Sequence, residues 1–455
     1  MNREADILKA GAAQTEITPP LGTRIGVDLF PHYARFIHDK LYAKTLLLSK
    51  GDVMIAFVVV DICIMPSDLM LEIKQSITGA SGIPLRRIML SCTHTHGAGD
   101  VAGLLGGAVD IAYRKRLPAW IVSSVEKAMS RLETAAIGYG AVSVPQHVVS
   151  RRYVMRPECK AQNPVSGLVE HVKMNPLGEE DLILERCGLV DPEVCYLAIK
   201  NDKDELVSIL ANYGLHYVGD WDVDTITADY YGAFAEKIQS RLHTSTHFVG
   251  IMTHGTAGNV NIWDFLDPNR YPTTSHATTE LIGEDLAIAV LLDIEKVVYY
   301  DQVDLTMEHS ELDLAVRKPS RESLSRSERL LRKNRFDDLI HDDHGLAMIY
   351  AREQLLLKEY PDLHQTALQG IRIGDLRIGV LGGEIFAETG LWLKEQFPQK
   401  QYFTICLANT YDGYVPPAHE HERGGYETWR ARSSFLEKHA EEKIRQELVT
   451  LLQKL

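Results

Sequence analysis

The sequence predicts an α/β fold in which mixed sheets are layered with helices and a metal site lies at strand ends. Three observations carry that expectation. Met54 to Val60 is a continuous apolar, largely β-branched run that stops at Asp61, as a strand buried on both faces does. Strand-like and helix-like segments then alternate along the chain. Several strands also run directly into histidine or carboxylate residues, where α/β scaffolds build their sites.

Taken in order, a helical pattern follows Pro66 to about Thr78, and an apolar strand near Arg87 to Leu90 leads into Ser91-Cys92-Thr93-His94-Thr95-His96-Gly97-Ala98-Gly99. Residues two apart in extended backbone share a face, so His94 and His96 point the same way. Imidazole is the commonest metal ligand and titrates nearest neutrality, so this pair reads as a metal site or a proton relay. Taken alone, it reads more readily as two surface histidines beside a turn. A helix over about 110–132 comes next, then β-hairpin material at 134–150. A loop with Pro and Gly from Pro157 to about Gly188 is long enough to be a lid.

Cys195 to Ile199 and Leu206 to Ala211 are strands separated by the turn signal at 201–204, and the second leads to His216. A helix over 225–242, a strand over 247–252 and a helix over 276–292 repeat the alternation. His254 and Asn261 lie in the Gly-containing segment between the last two. Arg317 to Arg335 is basic and Ser-rich and reads as a solvated helix or an interdomain linker. Ile371 to Leu381 is a hairpin turning at Gly374-Asp375, and it delivers Glu384. Tyr426 to Leu455 reads as one long amphipathic helix packed on the rest. No repeat or low-complexity segment divides the chain, which reads as a single large catalytic domain over 1–455.

Composition narrows the function. Forty-eight basic residues against sixty-two acidic ones give a formal charge of -14, which argues against a general nucleic-acid or anionic-membrane surface and favours a small-molecule partner. The six cysteines form no CxxC pair, as expected of reduced thiols in a reducing compartment. The first residues carry no apolar leader, so a cytoplasmic location is expected. The longest apolar stretch, Met54 to Met65, is broken by Asp61 and is too short to span a bilayer, so no stable membrane insertion is expected. Homo-oligomerisation is left open.

Strand-end and loop groups thus recur at His94, His96, His216, Glu384 and Tyr411. Two histidines and a glutamate with an open position are the ligand set of a catalytic zinc. Seven segments together resemble the neutral, non-lysosomal ceramidases and their shorter bacterial relatives. They are GAAQTEITPPLG (11–22), IHDKLYAKTLLL (37–48), THTHGAG (93–99), NYGLHYVG (212–219), GTAGNVN (255–261), GGEIFAETG (382–390) and NTYDGY (409–414). They occur in the family's order.

The resemblance implies the neutral-ceramidase N-terminal-domain fold and a place in lipid metabolism. It implies one zinc per chain held by His94, His216, Glu384 and Tyr411. It gives His96 a proton-transfer or substrate-orienting role and Tyr411 a place among the catalytic groups as well as the ligands. Metal-activated water would then split a carbon–nitrogen amide bond of an N-acyl amine or ceramide-like substrate. An arginine serves the family's site, and of the pair Arg151-Arg152 the assignment falls on Arg152. Tyr426, His254 and Asn261 are expected to touch substrate, and Asp61 to orient a ligand from behind.

Two departures from the family stand out. Asn261 occupies the position where long-chain ceramidases carry a serine in a GDVSPN-like segment, which argues against a serine acyl-enzyme there. From the residues that follow the motifs, no C-terminal immunoglobulin-like domain of the kind the longer members carry is expected. Asn261 motivates an alternative, a catalytically inactive member that binds a ligand. A different enzyme class would use the carboxylates of Asp220, Asp222 and Asp224, although an EF-hand fails because no glycine stands sixth and Tyr231 replaces the closing glutamate.

Overall fold

The computed structural model describes residues 7–26, 29–30, 32–242, 244–334, 336, 339–340, 342–398 and 401–455. The residues on which a leader was sought, 1–6, and Arg335 fall outside that set. Eight strands make the principal sheet: β1 Lys9–Glu16, β2 Tyr42–Lys50, β3 Val53–Val60, β4 Ile88–Cys92, β5 Glu133–Ser143, β6 Glu193–Asn201, β7 Leu206–Tyr213 and β8 Thr244–His254. Their order is β8-β7-β6-β5-β1-β2-β3-β4. The β3–β4 and β7–β8 pairs are parallel and the rest antiparallel. A second sheet contains β9 Leu305–Ala315, β10 Leu363–Ile373, β11 Leu376–Val380 and β12 Tyr402–Ile405, in that order.

Period-two burial explains the layering. Leu46, Leu48, Ile55, Phe57 and Val59 face one way, into a core shared with Ile371, Ile373, Ile378, Val380 and Phe403 of the second sheet. Ala43, Leu47, Ala56, Val58 and Val60 face the other way. There they meet Leu69, Ile73 and Ile77 of helix α1 (Ser67–Ser81) and Leu117, Ile121 and Val125 of helix α2 (Ile111–Met129). Farther along the same sheet, Tyr196, Ile209 and Met252 pack on helices α3 (Asp229–Arg241) and α4 (Ala277–Ile294). Helix α7 (Ala440–Gln453) covers the outer face of the second sheet through Ile444, Leu448 and Leu451. The result is a helix, sheet, sheet, helix stack. A chain continuation just after β12 is stitched between the two edges of the principal sheet: the Cys406 amide donates to His254 O at 2.9 Å and the Cys92 amide to Leu407 O at 3.1 Å.

Several local expectations change. Residues 134–150 do not form a hairpin. Glu133–Ser143 is one strand between β1 and β6, because the eleven-residue run pairs along its length with β6. Thr225 and Ile226 are strand residues, and α3 begins only at Asp229. The loop over 157–188 carries strands of its own, Val172–Met174 and Ile183–Cys187, both paired to Arg152–Met155. The basic Ser-rich segment is helix α5 (Arg321–Lys333), capped by Ser320 and packed on α6 (Asp343–Lys358). The C-terminal helix does not start at Tyr426, because the chain before Ala440 is held by other partners: the Tyr414 amide donates to Ser433 O and the Arg317 amide to Phe435 O. Among the described residues, no helix is long and apolar enough to cross a membrane.

Candidate metal centre

His94 stands just past the C-terminal end of β4, where its amide donates to Ile62 O at 3.0 Å. Its φ of 79° is unusual for a residue with a side chain and belongs with the strained conformations found at functional sites. The ring Nδ1 lies 3.0 Å from Cys63 O, so it donates there and leaves the Nε2 lone pair free to face inward. His216, just beyond β7, repeats the arrangement with Nδ1 3.2 Å from Ala257 O. Glu384 follows β11 and forms a short parallel pairing in which it stands opposite Tyr414.

These three converge. His94 Nε2 lies 3.0 Å from His216 Nε2, and Glu384 Oε2 lies 3.5 Å from the first and 3.6 Å from the second. An ion about 2 Å from each atom in tetrahedral geometry would separate its ligands by roughly 3.3 Å, so the donor set fits a zinc-sized ion. Glu384 Oε2 is buried and has no hydrogen-bond partner, which a bound cation would supply. Burial holds both histidines well below the usual imidazole range and pushes Glu384 up to about 7, with Tyr414 and Arg151 pulling it back.

Tyr414, which the sequence reading passed over, is the tyrosine in contact with this cluster. Its hydroxyl lies 3.5 Å from His216 Nε2 and is near enough to Glu384 to pull that carboxyl's pKa down. Tyr411 sits instead in the apolar core with Cys63 and Tyr350, its hydroxyl buried and without a partner. The two are three residues apart in NTYDGY, and only the pairing with Glu384 separates their roles.

The arginine pair also divides. Arg152 is fully buried between Glu420, at 2.8 Å, and Glu427, at 2.6 Å, and does not reach the cleft. Arg151 does reach it, held by Glu427 at 2.9 Å and by Gly258 O at 2.8 Å. One carboxylate therefore orients both guanidiniums, and Arg152 acts only through it.

Above the cluster opens a cleft of about 620 Å³. His96 lines it, stacked on Tyr217 with ring centres 3.7 Å apart, and so do His216, Asn261, Tyr414 and Tyr426. The Asn261 amide donates to Asn175 Oδ1 at 2.7 Å and its carbonyl accepts from the Trp263 amide at 3.0 Å. Residues 160–164 and 172–175 form the roof, so the suspected lid is a folded wall. His254 lies behind the candidate metal ligands, outside the cleft lining, with Nδ1 3.1 Å from the Tyr231 hydroxyl and its ring centre 5.1 Å from that of His94. Asp61 is also away from the site, paired with Lys44 and accepting from the Tyr42 amide at 2.9 Å. The carboxylate run is dispersed: Asp220 caps α4 by accepting from the Thr278 amide at 2.7 Å, and Asp224 meets Arg35 at 3.7 Å.

No protein-family model and no curated protein matches this sequence. Among solved structures, the neutral ceramidase from Pseudomonas aeruginosa superposes with a TM-score of 0.71, covering 99% of this chain and 75% of its own, at 16% identity. This chain has the neutral ceramidase fold. A ceramidase complexed with C2 gives a TM-score of 0.70 over 99% of this chain and 76% of its own, also at 16% identity. The α/β class, and a group at strand ends that could hold a metal ion, are as the motifs led one to expect.

Proposed function

We propose that this chain is a zinc-dependent amidohydrolase that splits the carbon–nitrogen bond of an N-acyl amine or ceramide-like amide. One zinc per chain would be held by His94, His216, Glu384 and Tyr414. The observation that carries this reading is the meeting of His94 Nε2, His216 Nε2 and Glu384 Oε2 within 3.6 Å of one another at the base of a cleft. The ceramidase fold supports the amide class as analogy. When bound, the ion supplies Lewis acidity toward a carbonyl and a water with a pKa of about 7.

The chain's own residues then divide the work. The His96 imidazole, fixed against Tyr217, receives the proton from the attacking water and returns it to the departing nitrogen. The Arg151 guanidinium, held by Glu427, steadies the oxyanion that forms at the carbonyl. Tyr426 and Asn261 orient the substrate along the cleft. None of these steps uses a serine nucleophile, so Asn261 does not impede them.

Metal analysis of the purified protein and of His94→Ala and Glu384→Ala tests the reading, together with hydrolysis of N-acyl amides. About one zinc per chain, lost in both variants along with activity, supports it. Protein that takes up no metal on zinc addition overturns it and favours a ligand-binding role.

A further inference from the structure

A second cavity, of about 590 Å³, adjoins the cleft, and Asn163 and Arg326 line both. Its lining is strongly basic: Arg317, Arg326, Arg329, Arg430 and Lys438 face only Glu170 and Glu322. Lys438 is matched by Glu422 outside the lining, at 2.7 Å, and the remaining cations still exceed the acids. Glu170 is already engaged, accepting from Asn163 Nδ2, the Gly425 amide and Trp429 Nε1 at 2.7–2.8 Å.

The arginines have neutral partners. Arg317 donates to Thr428 O at 3.0 Å and to Ser434 O and Oγ at 2.7 Å. Arg430 donates to Gln354 Oε1 at 2.8 Å, Ser323 Oγ at 3.2 Å and Lys318 O at 3.3 Å. Arg326 reaches only Ser166 O, at 3.5 Å. Arg317 and Arg430 are half-buried and Arg326 is exposed, and among the described residues none of the three pairs with a carboxylate. Burial, and then the neighbouring Arg430, brings the Arg317 pKa down to about 10, and its Nε is buried with no acceptor. Burial, and then Arg317 and Lys438, brings His421 on the same wall down to about 3. The N-terminus of α5, capped by Ser320 Oγ, completes the wall. The cavity wall thus carries an excess of positive charge that no carboxylate among its lining residues balances.

We infer that the basic cavity seats a phosphate group carried by the substrate, so that the amide this chain cleaves bears a phosphate ester beyond the scissile bond. The excess of positive charge suits a doubly charged group, and guanidiniums suit its geometry. The substrate half of the inference rests on the amidohydrolase reading. The anion site stands on the cavity alone.

Two measurements on the metal-loaded full chain separate these. The first is titration with inorganic phosphate, followed by calorimetry, on wild type, Arg430→Gln and Arg326→Gln; Arg326 is exposed on α5, so that variant keeps the fold if Arg430→Gln does not. Saturable binding weakened by about tenfold or more in the variants is expected. No saturable binding to wild type, or equal affinity in the variants, overturns the site. The second compares kcat/KM for a phosphorylated N-acyl amine and its neutral counterpart. A ratio above about tenfold that falls toward one in the variants is expected. Phosphate binding with no such preference overturns the assignment to substrate, and phosphate binding with no amide cleavage overturns the hydrolase reading but leaves the anion site standing.

Discussion

Glu384 and Tyr414 stand opposite each other in a two-residue parallel pairing, and that register brings the Tyr414 hydroxyl 3.5 Å from His216 Nε2. Tyr414→Phe is therefore expected to weaken zinc binding by about 10- to 100-fold or more, since even a group that only supports a ligand costs that much when lost. Tyr411→Phe removes a hydroxyl with no partner and is expected to leave affinity within about twofold. Competition against a chromophoric chelator measures both, and the reverse ranking would sink the assignment.

Gly258 touches the metal site without offering a ligand. A Cβ there would meet Glu384 O at 2.5 Å, against backbone that is itself hydrogen-bonded. Gly258→Ala is expected to displace Glu384 and lower zinc content by more than half while the chain still folds, since misplaced ligands forfeit affinity steeply. Full zinc content in folded Gly258→Ala would refute this.

Arg152 neutralises two buried carboxylates, Glu420 and Glu427. Arg152→Gln leaves them buried together, at an expected cost of about 3–5 kcal/mol in urea unfolding. Arg151→Gln leaves Glu427 paired with Arg152, so it is expected to lose activity out of proportion to stability. Equal losses of stability in the two variants would contradict this division of roles.

His254 makes the fold sensitive to acid. Burial, and then Arg151 and His96, lowers its pKa from 6.5 to about 3. A depressed folded pKa gives stability that is present above the unfolded value and lost as pH falls, because the unfolded chain takes the proton first. Between pH 6.5 and 3 each unit is expected to cost about 1.4 kcal/mol. Urea titrations at stepped pH read it as a shallower slope in His254→Gln than in wild type, and identical slopes would rule it out.

What could be read from the sequence follows from period and chemistry. Met54 to Val60 announced a buried strand because both of its faces are apolar, and His94, His216 and Glu384 declared themselves by ending strands. Which of Arg151 and Arg152 faces the cleft was not legible, because adjacent residues at a strand end point to opposite sides and nothing local says which side is occupied. Tyr411 and Tyr414 were indistinguishable for another reason. Leu407, Asn409 and Gly413 take φ values of 51°, 64° and 68°, and such turns erase any alternation. The 157–188 segment was expected as a lid, but its strands escaped notice because strands of three and five residues are too short to show a period.

The stitching of Cys406 to Asn409 between β4 and β8 reaches beyond the finished molecule to its manufacture. On the ribosome, the strands that place His94 and His216 emerge long before the segment that joins their outer margins. Until then both margins present unpaired amides and carbonyls, the template on which neighbouring nascent chains associate. The sheet cannot close vectorially, first half before second; its two margins are joined only after residues 406–409 have emerged.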